Sequence, residues 1–186
     1  DSEEIAKVSL DAGAEVPFLR PNELADDYAS TSEVIIHAIN WYKQKGIFFS
    51  SVCCLYPTAV FIKSQDLIKA SNELEKSKKE IFVFSAIAFN SSIQRAFYLD
   101  NNGYTKMFNP ELYKKRTQDL VNAYHDAGQF YLASPSTWLI KSDILHKSKP
   151  YILPKWSAQD IDNQEDWDLA EFIFDSIAKK DSKKTY

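Results

Sequence analysis

The sequence is poor in the features that mark several common protein classes. No run approaches the ~20 apolar residues needed to cross a bilayer, and no stretch at its start has the pattern of a signal peptide. It has four glycines, and they do not gather into a glycine-rich phosphate loop. No internal repeat is visible. We therefore expect neither a membrane span, a P-loop site nor a repeat architecture.

Clustered basic charge and spaced cysteines are scarce as well. The net charge is −4, whereas a nucleic-acid footprint requires grouped Lys and Arg and a high pI. The two cysteines, Cys53 and Cys54, are adjacent. Because neighbours in a strand point to opposite faces, a mutual disulfide is disfavoured and reduced core thiols are expected. We expect a cytoplasmic protein with neither nucleic acid nor membrane as a partner.

The apolar residues that are present predict one α/β domain. The chain has 186 residues, of which 45% are hydrophobic, enough for a substantial core. Near-continuous apolar runs at 48–56 and 80–87 are typical of strands buried on both faces, and a helix is predicted between them at 65–77. This spacing indicates a parallel, right-handed crossover unit. Pro57 and Thr58 follow the first strand, where open α/β sheets bind ligands.

The middle of the chain departs from this alternation of strands and helices. Asn102-Gly103 separates apolar segments at 96–99 and 105–108, which is a strong hairpin signal. We interpret this hairpin as an insertion that contributes residues to a site or contacts a partner subunit. The only notable basic cluster, Lys114-Lys115-Arg116, follows it. Its interleaving with Gln118 leaves two interpretations open, a solvated face or an anion- or sugar-binding site.

The acidic motif Asp160-Ile161-Asp162 is the focus of the sequence. In an extended segment both carboxylates project to one face and Ile161 packs on the other. Two neighbouring acids repel each other unless a hard cation lies between them, and Mg²⁺ suits a site completed by a phosphate substrate. Asn163 is the expected N-cap of a following helix. The alternative, a solvated acidic turn that only caps this helix, remains open.

Four stretches together resemble one enzyme family. They are, in chain order, Leu19-Arg20-Pro21-x-Glu23-Leu24-Ala25, Pro57-Thr58, Arg116-Thr117-Gln118, and Asp160-Ile161-Asp162 ahead of Glu165-Asp166. This set resembles the CMP-sialic acid synthetase family of cytidylyltransferases, and the runs at 115–120 and 123–131 favour its pseudaminic acid branch. Members transfer CMP from CTP to the anomeric hydroxyl of a nonulosonic acid for surface glycan synthesis, and they release pyrophosphate.

The resemblance implies a fold and an assembly. The fold is α/β, a Rossmann-like nucleotide-diphospho-sugar transferase fold of the glycosyltransferase A type with a mostly parallel central sheet. Residues 1–186 would form a single cytidylyltransferase domain with an antiparallel dimerisation and sugar-binding arm at about 93–120, and a homodimer is expected. The family's first strand and CTP-phosphate loop have no counterpart in the sequence. The resemblance therefore implies an N-terminally truncated, partial domain that binds CTP poorly.

The resemblance also implies residue roles. CTP would be bound by Arg20, Ala29, Thr31, Pro57 and Thr58. The sugar acid would be bound by Arg116, Gln118, His125 and Gln129. Asp160 and Asp162 would hold Mg²⁺ and, with Arg116, would be the catalytic residues. For His125, three roles stay open: orienting a sugar hydroxyl, accepting a proton, or a structural hydrogen bond.

Three alternative functions remain. The sugar acid is N-acetylneuraminic or legionaminic acid in the first, although sialic acid enzymes carry Gln where this chain has Tyr56. In the second, the chain is an inactive binding or dimerisation module. The third is a glycosyltransferase that uses Asp160 and Asp162 for its metal. It is disfavoured, because there the acidic pair normally falls in mid-chain and not before the last helix.

Overall fold

The computed structural model describes residues 1–26, 28–78, 80–140, 143–146 and 148–182, so the end of the predicted domain, 183–186, lies outside the described residues. The helices are α1 (Glu3–Asp11), α2 (Thr31–Gln44), α3 (Ser64–Lys76), α4 (Pro135–Ile140) and α5 (Gln164–Ser182). The strands are β1 (Val52–Leu55), β2 (Val83–Ala88), β3 (Phe97–Leu99), β4 (Thr105–Met107), β5 (Tyr124–Ala133) and β6 (Lys149–Ile152). Among the described residues, no helix combines the length and the apolar character needed to cross a membrane.

The main sheet is mixed. Within the described residues its strand order is β1-β5-β2-β6. Strand β5 runs antiparallel to both β1 and β2, whereas β6 runs parallel to β2. Strands β1 and β2 therefore point the same way, as the crossover prediction requires, but β5 lies between them. Two of the three strand pairings are antiparallel, which differs from the mostly parallel sheet expected. Apolar periodicity identifies strands without specifying their neighbours.

Helices cover the two faces of this sheet with separate apolar clusters. On one face, which α2 and α4 cover, the buried residues are Ile39, Phe82, Tyr131, Ala133 and Trp138. On the other face, which α3 covers, they are Ala70, Leu74, Val83, Phe130 and Leu132. Neighbouring residues of β5 alternate between the two clusters because successive side chains of a strand point to opposite faces.

Strand β1 is less buried than its composition predicts. Its residues alternate between half-buried and exposed, which corrects the expectation of burial on both faces. The physical reason is position: β1 is an edge strand among the described residues. Cys54 packs against the first cluster while Cys53 is exposed. Both thiols are free, as predicted, but the expectation of a core position was wrong for Cys53, because alternate residues of this edge strand face solvent.

The predicted hairpin insertion is confirmed as a separate, two-stranded antiparallel sheet of β3 and β4. Gly103 has a φ of +81°, which glycine adopts at little cost. The Asp100 carboxylate accepts hydrogen bonds from the Asn102 and Tyr104 amides at 2.9 and 3.0 Å. Large side chains along the insertion are exposed, including Phe97, Tyr104 and Phe108. Its role in dimerisation stays a prediction.

Candidate functional site

Several of the predicted site residues lie along one edge of the main sheet, which we call the site edge. It comprises the carboxyl ends of β1, β2 and β6 and the first half of β5, because β5 alone runs in the opposite direction. Pro57 and Thr58 follow β1, His125 lies on β5, and the loop carrying Asp160 and Asp162 follows β6. This is the edge at which open α/β sheets bind ligands.

A large bulge interrupts β5 at the site edge. The pairing with β2 passes from Phe84 opposite Tyr131 to Ala86 opposite Asp126, so residues 127–130 lie opposite Ser85 alone. The buried Ser85 hydroxyl accepts hydrogen bonds from the backbone amides of Gln129 at 3.0 Å and Phe130 at 3.1 Å. We call residues 127–130 the β5 bulge.

A left-handed glycine permits the turn of the β5 bulge. Gly128 has a φ of +59°, a conformation in which a side chain is strained. An isolated glycine inside a strand pattern is a recognised sign of a bulge. This signal is present in the sequence and indicates a bulge near this position.

Gln129, a predicted sugar ligand, is buried in the β5 bulge. Gln129 is 1% exposed, and its side-chain Nε2 donates to the Ala127 carbonyl at 2.9 Å. Its Oε1 is buried and has no hydrogen-bond partner among the described residues. Its backbone carbonyl accepts from the Tyr56 amide at 3.0 Å, which ties the bulge to the end of β1. The side chain thus faces the interior, and its predicted sugar contact stays a prediction.

Two tyrosines link the β5 bulge to the start of α2. The Tyr56 hydroxyl lies 2.5 Å from Oγ1 of Thr31, and the rings of Tyr56 and Tyr131 are 5.6 Å apart. The Tyr131 hydroxyl donates to Oδ2 of Asp126 at 2.7 Å, and Oδ1 of Asp126 accepts from the Gly128 amide at 2.9 Å. We call Thr31, Tyr56, Tyr131 and Asp126 the tyrosine chain. Sequence reasoning missed Tyr131 and Asp126, because nothing in their local pattern predicts these contacts.

The start of α2 is itself held firmly. Ser30 and Glu33 form a reciprocal capping box, which leaves Thr31 in the first helical position. The hydrogen bonds from Ser30 lower the pKa of Glu33. Just before the cap, the Ala29 amide donates to Oδ1 of Asp26 at 2.8 Å. Two predicted CTP ligands, Ala29 and Thr31, therefore lie on a structured turn.

His125 presents a hydrogen-bond acceptor at the site edge. Its Nδ1 lies 2.9 Å from the backbone carbonyl oxygen of Asp126. A carbonyl only accepts, so Nδ1 carries the proton, and the neutral ring keeps an unprotonated Nε2. The ring packs on Phe89 at 4.7 Å, and the Phe89 carbonyl accepts from Lys155 at 3.2 Å. His125 is exposed, and an unprotonated Nε2 suits either orientation of a hydroxyl group or acceptance of its proton.

The acidic motif has the alternation that an extended segment gives. Asp160 and Asp162 are exposed, whereas Ile161 is half-buried and lines a cavity of about 350 Å³ together with Phe61 and Trp167. Ile161 thus faces the protein side of the loop while the two carboxylates reach solvent. Among the residues that the structure describes, no three His, Cys, Asp or Glu side chains gather as a metal-binding group. A cation held by these two carboxylates would require further ligands from a substrate.

The predicted helix cap after the acidic motif is confirmed. Asn163 Oδ1 accepts from the Asp166 amide at 3.1 Å. Oδ2 of Asp166 accepts in return from the amides of Asp162 and Asn163 at 3.0 and 3.2 Å. The Asp166 carboxylate is thus engaged in the cap, whereas those of Asp160 and Asp162 are not part of it.

The two predicted arginine ligands make other contacts. Arg20 forms an ion pair with Asp1. Arg116 lies on the insertion, where its Nε is 3.0 Å from Oδ2 of Asp119 and its side chain is 73% exposed. Gln118 is exposed beside it in the turn Thr117–Asp119. Among the described residues, none of these contacts involves Asp160 or Asp162.

Comparison with known proteins adds a second kind of evidence. No protein-family model matches the chain. It is 40% identical over 176 residues to a pseudaminic acid cytidylyltransferase of Campylobacter jejuni subsp. jejuni serotype O:2, a match that covers 94% of this chain and 75% of the relative. It is 31% identical over 183 residues to a CMP-N,N'-diacetyllegionaminic acid synthase of Legionella pneumophila, with the same two coverages.

A solved structure is similar in fold. The structure of CMP:2-keto-3-deoxy-manno-octonic acid synthetase complexed with CTP matches with a TM-score of 0.50 and 9% identity. The match covers 75% of this chain and 56% of that one, so the chain spans just over half of that protein's length. At this identity the likeness shows a shared α/β fold alone.

Proposed function

Because the chain belongs to the family of pseudaminic acid cytidylyltransferases, we propose that it transfers the cytidylyl group of CTP to the anomeric hydroxyl of pseudaminic acid and releases pyrophosphate. One observation carries the proposal, the 40% identity to a relative of that name across 94% of the chain. The site edge supports it, because the predicted nucleotide and metal residues from β1, β6 and α2 lie on elements that meet there.

The proposed reaction is an in-line substitution at the α-phosphorus of CTP. The anomeric oxygen forms a bond to phosphorus, the bond to the bridging oxygen of the β-phosphate breaks, and pyrophosphate leaves. The hydroxyl proton passes to an acceptor. In such reactions the protein contributes mainly positioning and neutralisation of phosphate charge. We assign this acceptance to His125 Nε2 or to solvent.

We assign Mg²⁺ to Asp160 and Asp162. The donor set fits, because hard carboxylate oxygens suit Mg²⁺ and this ion is commonly held by one or two carboxylates plus substrate phosphates. The bound ion would neutralise charge on the phosphate oxygens. The half-buried Ile161 separates the two exposed acids, and the cap formed by Asn163 and Asp166 holds the segment that follows.

We assign the nucleotide and sugar sites from the family resemblance and from the solvent exposure of the insertion that carries Arg116. We place the cytidine against Arg20, Ala29, Thr31 and the Pro57-Thr58 turn. Arg116 would bind the sugar carboxylate, for which a planar guanidinium is suited, with Gln118 and His125 nearby. Because Arg116 belongs to an exposed, aromatic-rich insertion, we propose a homodimer in which this arm reaches the site of the other subunit. The glycosyltransferase A type of fold belongs to the same proposal.

A second candidate is synthesis of CMP-legionaminic acid. The 31% identity to the Legionella pneumophila enzyme, over 94% of the chain, favours it. Pseudaminic acid remains the first choice because the identity to that relative is higher. The two candidates share every step except recognition of the sugar.

The test is pyrophosphate release from CTP and Mg²⁺ by the protein expressed from its complete gene. Pseudaminic, legionaminic and N-acetylneuraminic acids are compared at equal concentration, and turnover with pseudaminic acid should exceed the others. Asp162→Asn should abolish release with little change in the circular dichroism spectrum. Asp168→Asn is the matched control, since Asp168 is an exposed acid whose carboxylate accepts from Gln164 at 2.8 Å. No release with any of the three sugar acids, from a folded protein, would refute the proposal.

A further inference from the structure

The tyrosine chain joins the two proposed substrate regions through the protein interior. Thr31, at its first end, begins α2 on the nucleotide side. Asp126, at its other end, holds the β5 bulge beside His125 on the sugar side. The contacts join α2, the residue that follows β1, and β5. A displacement of Thr31 would therefore change the position of Asp126, and a displacement of Asp126 would change that of Thr31.

Tyr131 is the central member of the tyrosine chain. It is 8% exposed and belongs to the first apolar cluster. Burial, followed by the neighbouring Asp126 carboxylate and Tyr56, raises the pKa of Tyr131. The hydroxyl thus stays protonated and donates to Asp126 throughout the physiological pH range. Both oxygens of Asp126 are then engaged, by Tyr131 and by the Gly128 amide.

We propose that Tyr131 is a positioning residue for both substrates, which acts through Tyr56 on Thr31 and through Asp126 on the β5 bulge. The proposal rests on the proposed function, because it assigns Thr31 to CTP and the residues beside the bulge to the sugar acid. It also explains the presence of Tyr56, whose hydroxyl reaches α2 and which therefore belongs to the scaffold that shapes the nucleotide side.

The structure contains a matched control on the opposite face of the same sheet. The Tyr151 hydroxyl donates to Oδ1 of Asp66 at 3.0 Å, and Oδ2 of Asp66 accepts from the Lys63 amide at 3.1 Å. Burial raises the pKa of Tyr151 as well. Tyr151 and Asp66 thus repeat the bonding of Tyr131 and Asp126, but they connect β6 to α3 within the second cluster.

The experiment compares Tyr131→Phe with Tyr151→Phe, each of which loses one hydroxyl and keeps the ring. Removal of one hydrogen bond commonly changes an equilibrium by a factor of about 2 to 12. Because the Tyr131 hydroxyl interacts with Tyr56 as well as with Asp126, Tyr131→Phe should raise the KM for both CTP and pseudaminic acid by about fivefold, with a smaller change in kcat. Tyr151→Phe should lower the melting temperature similarly and leave both KM values unchanged. Tyr56→Phe should raise the KM for CTP.

Several outcomes overturn the inference. It fails if Tyr131→Phe leaves both KM values unchanged, or if both Phe variants change them by the same factor, which would indicate a stability effect only. Since members of one network are not independent, it also fails if the double variant Tyr131→Phe, Asp126→Asn is additive in KM.

Direct CTP titration by calorimetry separates this inference from the proposed function. If the wild type binds CTP but turns over none of the three sugar acids, the proposed function is refuted. The positioning role is then decided by the ratio of CTP Kd values of Tyr131→Phe and Tyr151→Phe. A ratio near one overturns it, and a ratio near five supports it. A folded wild type without CTP affinity overturns both.

Discussion

The replacement Ser85→Ala tests the hydrogen bonding that shapes the site edge. The Ser85 side chain is fully buried, and its hydroxyl accepts from two backbone amides of the β5 bulge, at 3.0 and 3.1 Å. Its own contact to the Phe130 carbonyl is long, at 3.4 Å. Alanine would leave both amides buried without a partner. Each unsatisfied donor costs about 1–3 kcal/mol, so the variant should lose about 2–6 kcal/mol of unfolding free energy.

Urea denaturation followed by tryptophan fluorescence measures this loss. Total stabilities of single domains are about 5–15 kcal/mol, so the expected change shifts the midpoint strongly. Ser176→Ala is the control, because the Ser176 hydroxyl donates to the Phe172 carbonyl at 2.8 Å on an exposed surface of α5. Such surface changes usually stay within about 0.5 kcal/mol. A loss below about 1 kcal/mol in Ser85→Ala, with an unchanged m value, would refute the reasoning by showing that the amides find other partners.

Three further predictions concern the bulge, the insertion and acid stability. Gly128→Ala should destabilise the fold by about 1–2 kcal/mol in the same denaturation assay, because its φ of +59° is left-handed. Arg116→Ala should raise the KM for the sugar acid more than that for CTP, and the reverse order would show that the sugar carboxylate binds elsewhere. Lys149 and then Lys76 lower the pKa of Glu73 from 4.5 to about 2. Its contribution to stability should therefore be complete above pH 4.5 and be lost as the pH falls towards 2, and Glu73→Gln should flatten this part of a melting-temperature profile.

Local features of the fold and the site were predictable from single stretches of sequence. Asn102-Gly103 predicted the hairpin, and Asn163 predicted the start of the last helix. The alternation of exposed Asp160 and Asp162 around the half-buried Ile161 also followed from an extended backbone. Each of these was predicted from the turn, cap or alternation preferences of residues a few positions apart.

The contacts at the site edge could not be predicted from any single stretch of sequence. The tyrosine chain links Thr31 to Tyr56 across 25 positions, and Ser85 meets Gln129 across 44. From its polar side chain, Gln129 was expected to be available to a ligand. It is buried because the β5 bulge turns it inward. Gly128 was the one local clue to that bulge.

The sequence by itself indicated the family, the class of chemistry, the hairpin and the start of the last helix, because the motif, turn and cap residues that specify them lie close together in the chain. The tertiary structure alone decided that β5 lies between β1 and β2, that β1 is an edge strand among the described residues, and that Tyr131 joins Tyr56 to Asp126. The physical reason is that strand neighbours and buried polar contacts are selected by the free energy of packing the whole chain. Residues far apart in sequence enter that free energy together.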